Sequence, residues 1–373
     1  MAVLRGQSWI REDRMNKHLP TALLVTLFAL IQDGECRRAS NRHPEGSILF
    51  QYTKYTDAAR LQAKESTSSL QNEGTKLRGQ DSKIYIIDTF PYNGELVTEL
   101  RLKYLYGVVD EIMVVESRMT FSGKRKDFLY TDRDRRVFDP YIDKVTFLII
   151  DEVPDPKEDW LKKNIASWMS NPIVWHRESY QRDYAASKIQ SKHKGKKYVV
   201  LCSDIDEIPN RDFVTELSTQ QGYEQAHEAC YMAMNFSYYN FHWASPQDWM
   251  KAFAISDRGI SRRSLNEYRL GNPYDGRVKQ NAGWHLSYYM SVSDIARKLG
   301  SFGHTEYDED QYRDPKHVKK CLTEGKDLFD RGPDFDMLPA SPDRKAAYPE
   351  GWQELAAKLA KLQELPASSF TSA

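Results

Sequence analysis

Asp204, Asp206 and Glu207 stand almost side by side in YVVLCSDIDEIP, directly after an apolar run and with no Lys or Arg among them. Like charges this close repel. Either they point apart into water as a solvated acidic turn, or they hold a cation that the stretch itself does not supply. A hard divalent ion, Mn2+ or else Mg2+, suits carboxylate oxygens and usually shares its shell with phosphate oxygens. The pattern therefore points to Asp204 and Asp206 as ligands of a metal carrying a diphosphate. Asp-x-Asp occurs four times, at Asp132/Asp134, Asp204/Asp206, Asp308/Asp310 and Asp334/Asp336. Only the second stands at the carboxyl end of an apolar strand, where open α/β sheets bind their ligands.

Other residues fit the same crevice. Asp88 closes a strand in IIDTFPYNGE and Glu116 closes another in VVESRMTFSGK. Each could accept a hydrogen bond from a base or ribose hydroxyl, or cap a helix instead. Arg182, in SYQRDYAA, could reach a phosphate or form an ordinary surface ion pair. Trp284 and His285 lie in GWHLSYY, where the Trp could form a platform for an acceptor sugar and the His could bond a hydroxyl or phosphate. A buried Trp and a satisfied core His are the alternative.

The elements that must position these residues are legible as apolar runs. KIYIID, EIMVVES, KVTFLIID and YVVLCSDIDE read as strands. Asn93 is expected to cap a helix carrying Leu96, Leu100 and Tyr104, and another helix runs through Tyr184, Ala185 and Ile189. Runs this continuous, separated by helices, suit strands covered on both faces. The fold class is α/β with a mostly parallel central sheet. YMAMNFSYYNFHW and KAFAIS read as further strands, Asn210 and Ser291 as helix caps. GWQELAAKLAKLQEL is an amphipathic segment that packs on the domain or sits free.

The 373 residues carry 53 Lys plus Arg against 53 Asp plus Glu. A balanced charge gives no basic field for nucleic acid, which is excluded as a partner. The four cysteines, Cys36, Cys202, Cys230 and Cys321, lack metal-site spacing. Cys202 and Cys230 are open to a disulfide or to two buried thiols. Arg11, Arg14 and Lys17 precede an apolar run over 19–31, and Asp33 and Glu35 follow it. That asymmetry suits a short type II signal anchor or a cleaved signal, with the bulk of the chain outside the cytosol. The expected organisation is a cytosolic tail and anchor over 1–35, a stem over 36–82, a catalytic domain over 83–331 and a C-terminal extension over 332–373.

IIDTFPYNGELVTELRL, VVESRMTFSGK, SDIDEIP and NAGWHLSYYMSVSDIARKLGSF, in this order, resemble glycosyltransferase family 17 over roughly 83–331. The resemblance implies a GT-A-type, Rossmann-like nucleotide-sugar fold and an inverting Golgi-membrane enzyme with a lumenal catalytic domain. Its implied donor is UDP-GlcNAc, and its implied acceptor is a β-mannose of an N-glycan or glycoprotein, joined in β-1,4 linkage. It carries over Asp204 and Asp206, the post-strand set Asp88, Thr89 and Phe90, and Gly283, Trp284 and His285. An inverting transfer needs a base opposite the leaving diphosphate. His304 and Glu306 in SFGHTEYDED share one face of an extended segment, which suits His304 to the metal and Glu306 to the acceptor proton. A solvated loop is the alternative there, with Asp294 and Glu207 as rival bases. Competing functions are transfer of another UDP-sugar or to another acceptor, a metal-dependent phosphoesterase, and a non-catalytic carbohydrate-binding module.

Overall fold

A computed structural model describes residues 83–164, 171–300, 307, 309–343 and 347–365. Among them are ten strands in one sheet: β1 (Ile84–Pro91), β2 (Glu111–Ser117), β3 (Val145–Ile150), β4 (Lys197–Cys202), β5 (Glu207–Pro209), β6 (Cys230–Tyr238), β7 (Trp243–Ala244), β8 (Phe253–Ser256), β9 (Arg277–Ser287) and β10 (Leu338–Pro339). Their order is β10-β7-β6-β8-β4-β1-β2-β3, with β9 joined to β6 and β5 to β9. The β3-β2-β1-β4 half is parallel, as is β6 with β9. The remaining pairs are antiparallel and shorter, so most paired positions lie in parallel ladders.

Helix α1 (Thr98–Leu105) and the long α2 (Pro172–Lys192) explain why β1, β2 and β4 are apolar on both faces. Ile86, Val114 and Leu201 join the core with Leu102 and Leu105 of α1. Their strand neighbours Ile87, Val115 and Val200 pack on the other side with Ala185 and Ile189 of α2. Period-two alternation thus assigns each strand residue to one helix or the other. A third cluster gathers α4 (Val292–Leu299) around Tyr238, Tyr239 and Tyr288.

The chain runs outward from β1 to β2 to β3, then returns along α2 to place β4 on the opposite side of β1. The direction of winding reverses between β1 and β4, which makes their carboxyl ends the ligand crevice of such a sheet. Register sets Thr89 beside Cys202, so Asp88 and the Ser203–Glu207 turn emerge together.

One expectation changes and two open readings are resolved. Asn93 does not cap α1: Val97 stands at the cap and the helix starts at Thr98, after a bend at Asn93, Gly94 at φ 81° and a turn over 96–97. Asn93 Oδ1 instead accepts from Lys126 Nζ at 2.8 Å. Cys202 and Cys230 are free buried thiols. They sit on strands that flank β8 on either side, a separation of roughly 9–10 Å that a disulfide does not span. Of the two readings of the C-terminal segment, packing on the domain is the one observed: β10 extends the sheet through β7, and α5 (Trp352–Gln363) buries Leu355, Ala356, Leu359 and Ala360 in the α1-side core. No helix among the described residues is long and apolar enough to cross a membrane. The apolar run over 19–31 and the segment over 36–82 lie outside them.

Candidate active site

The Asp204–Glu207 turn is fixed from within. Asp88, 1% exposed and three residues inside the end of β1 at Pro91, accepts from Arg101 Nε at 3.0 Å and Nη2 at 2.6 Å. Arg101 is fully buried on α1 and donates onward to the carbonyls of Asp204, Ile205 and Glu207 and to Ser203 Oγ. Asp88, expected at a nucleotide hydroxyl, therefore stands behind the turn with both oxygens engaged.

Two of the three clustered carboxylates find their cations in arginine. Arg182 Nη1 of α2 lies 2.7 Å from Asp204 Oδ1, and Arg269 Nη2 lies 2.6 Å from Oδ2. Arg269 comes from α3 (Leu265–Leu270) and also donates to both oxygens of Glu207 at 2.8 Å. Glu207 accepts further from Trp249 Nε1 and from the Asp204 amide. Burial alone would raise the Asp204 carboxyl, but Arg182 and Arg269 outweigh it and hold the group well below the ordinary carboxylate range. Glu207 is completely buried with every oxygen occupied, which leaves it no capacity as a base. Asp294, the other rival, is engaged at the start of α4 by Ser291 and Arg297.

Asp206 differs. It is 8% exposed and, alone of the three, has no guanidinium partner among the described residues. His285 Nε2 stands 3.7 Å from Oδ1, and Lys298 Nζ of α4 stands 4.0 Å from Oδ2. Burial works against its charge, yet His285 and Lys298 keep its carboxyl below the ordinary value. His285 is stacked on Phe236 with ring centroids 4.8 Å apart, and its buried Nδ1 has no hydrogen-bond partner among the described residues. Half-buried Glu95, in the turn after β1, senses both Asp206 and Lys298. Burial pushes its carboxyl up to about 7, against the opposing pull of the Asn93 amide and Lys298.

The adjacent Trp284 goes the other way. Strand alternation turns it into the core, edge-to-face with Tyr104 at 5.6 Å and only 6% exposed, so it presents no sugar platform. Glu116 is also enclosed. Its oxygens accept from Lys126 Nζ and from the Tyr130 and Thr131 amides, which ties down the loop after β2 and caps the short helix at Tyr130–Arg133. Thr89 is buried within β1, and its Oγ1 has no hydrogen-bond partner among the described residues. His304 and Glu306 lie outside the described residues.

Sequence reasoning missed Arg101, Arg269, Lys298 and Glu95. For Arg269 a signal existed: Ser264 and Glu267 form a complete capping box, which announces α3. Among the described residues no three His, Cys, Asp or Glu side chains are grouped to hold a metal. One carboxylate suffices for a hard divalent ion that keeps waters and takes phosphate oxygens from its substrate. Asp206, not neutralised by arginine, fits that role.

The model of glycosyltransferase family 17 matches residues 53–364. The chain belongs to glycosyltransferase family 17. The family 17 match extends upstream into the expected stem and downstream through α5, in keeping with the C-terminal helix being part of the core. The family 17 chain is a glycosyltransferase, and its mixed, mostly parallel α/β sheet has its switch point between β1 and β4. Comparison with curated proteins gave no match. Among solved structures, the mannosyltransferase PcManGT from Pyrobaculum calidifontis, in complex with GDP-Man and Mn2+, is 12% identical. That likeness covers 94% of this chain and 88% of the other at a TM-score of 0.29.

Proposed function

We propose that this family 17 enzyme transfers GlcNAc from UDP-GlcNAc, with inversion, to a β-mannose of an N-glycan in β-1,4 linkage. The carrying observation is Asp206: in a glycosyltransferase, one carboxylate at the sheet's switch point has no arginine partner among the described residues and faces His285 and Lys298. Asp206 would hold a divalent ion, Mn2+ or else Mg2+, whose chemistry when bound is Lewis-acid stabilisation of the departing diphosphate. Arg182 and Arg269 are kept at the same strand end by Asp204, where a guanidinium matches phosphate oxygens. His285 Nε2, 3.7 Å from Asp206 Oδ1, would help to orient that carboxylate. Glu306 remains the proposed base for the acceptor hydroxyl, since Glu207 and Asp294 are both engaged. The proposed setting is the Golgi lumen, with residues 19–31 as a type II anchor.

The test is UDP release by the full chain with Mn2+ and a panel of UDP-sugars, with and without N-glycan acceptors. Release from UDP-GlcNAc that requires acceptor supports the reading. Preference for another UDP-sugar or acceptor would reassign the specificity, acceptor-independent hydrolysis of phosphate esters would make the protein a phosphoesterase, and binding without turnover a lectin-like module. Glu306→Gln is expected to bind UDP-GlcNAc normally and lose transfer, and near-normal turnover would move the base elsewhere.

A further inference from the structure

Asp88 and Phe90 are two apart on β1 and so project to the same face, toward α1. Between them they cradle one side chain: Asp88 takes two donors of Arg101, and the ring of Phe90 lies under the guanidinium at 4.6 Å. The remaining donors reach the carbonyls of Asp204 at 2.9 Å, Ile205 at 3.3 Å and Glu207 at 2.6 Å, and Ser203 Oγ at 2.6 Å. The carbonyl of Asp206 accepts from the Leu286 amide of β9 at 2.8 Å. Every carbonyl from 204 to 207 is thereby fixed, three of them by one guanidinium.

Burying a charged arginine is costly unless all its donors are satisfied and a counter-charge lies close. Arg101 meets both conditions, and a planar fork is what matches three carbonyls and a carboxylate at once. With the backbone pinned this way, the side chains of Asp204 and Glu207 point to Arg269 while that of Asp206 points to His285 and Lys298.

We propose that Arg101 is the positioning residue of the metal-binding turn, and that Asp88 and Phe90 serve to hold Arg101 rather than the nucleotide. This rests on the functional reading above, in which Asp206 holds the metal. Arg101 is fully buried and would act through the turn rather than on a ligand. It sets the direction in which Asp206 faces.

The test compares wild type with Arg101→Lys, Ser203→Ala and Ser203→Thr in the full chain, measuring thermal stability and the Mn2+ concentration needed for half-maximal UDP binding by calorimetry. Ser203→Ala removes one acceptor of Arg101 and is expected to raise the Mn2+ requirement about tenfold, as loss of a group supporting a metal ligand does. Ser203→Thr restores the hydroxyl and is expected to recover wild-type behaviour. Arg101→Lys keeps the charge, loses the fork, and is expected to raise the requirement about a hundredfold. If Arg101→Lys does not fold, Ser203→Ala decides alone. A folded Ser203→Ala chain with the wild-type Mn2+ requirement overturns the positioning role, even if its melting temperature falls. Wild type that binds UDP equally well without Mn2+ overturns the functional reading itself, and the positioning proposal with it.

Discussion

Asp204 and Asp206 are chemically identical and two positions apart, yet their surroundings give them different consequences when altered. Asp206→Asn is expected to lower Mn2+-dependent transfer by orders of magnitude with little change in urea unfolding, because no arginine loses its partner. Asp204→Asn leaves Arg182 and Arg269 short of a counter-charge, and is expected to cost about 2–3 kcal/mol in urea unfolding. Equal destabilisation by the two variants would contradict this division. Glu95 gives a prediction in pH. Its folded carboxyl lies near 7, above its ordinary 4.5. The folded chain therefore binds the proton more tightly than the unfolded one. The stabilisation is fully present below about pH 4.5 and is lost as pH rises through about 7. Glu95→Gln is expected to flatten that decline in stability measured between pH 4.5 and 7.5, and an unchanged slope would refute it.

At the scale of elements, the short β5 depends on its closeness to β9. Gly283 lies opposite Pro209 in that ladder, and a Cβ there would stand 2.2 Å from the Ile208 carbonyl oxygen. Gly283→Ala must push β5 away from β9, and with it Glu207, which pairs with His285. A stability loss of about 1–3 kcal/mol is expected from overpacking, accompanied by weaker Mn2+-dependent UDP binding. A melting temperature equal to wild type would show that the two strands give way without cost. The strands themselves were legible, because residues covered by helices on both faces must be apolar throughout. The start of α1 was not, because Asn93 has the chemistry of a cap and is drawn instead to Lys126, more than thirty residues away.

At the scale of the whole molecule, α5 closes the core that begins with β1. Gln363 is fully buried and donates to the carbonyls of Tyr239 and Met290, while Leu355 and Leu359 pack with the α1-side cluster. A chain ending at 331 is expected to lose cooperative thermal unfolding and to expose apolar surface to a hydrophobic dye. A sharp wild-type-like melting transition would show the last helix to be dispensable.

The amino-acid sequence by itself determined the α/β class, the parallel strand runs and the place of the acidic turn at a strand end, since each follows from local periodicity and from contacts near in the chain. It also carried the family motifs. Which carboxylate stays available was decided only by the tertiary structure. Arg101 is thirteen residues from Asp88, and Arg269 is sixty-five from Asp204, so no local pattern announces that these charges meet. The same holds for Trp284 and His285, whose opposite fates follow from alternation along β9, but whose assignment to core or crevice requires knowing which sheet face each side covers. Charge pairing and facing are properties of the packed chain, because burial sets both the cost of an unpaired ion and the strength of a paired one.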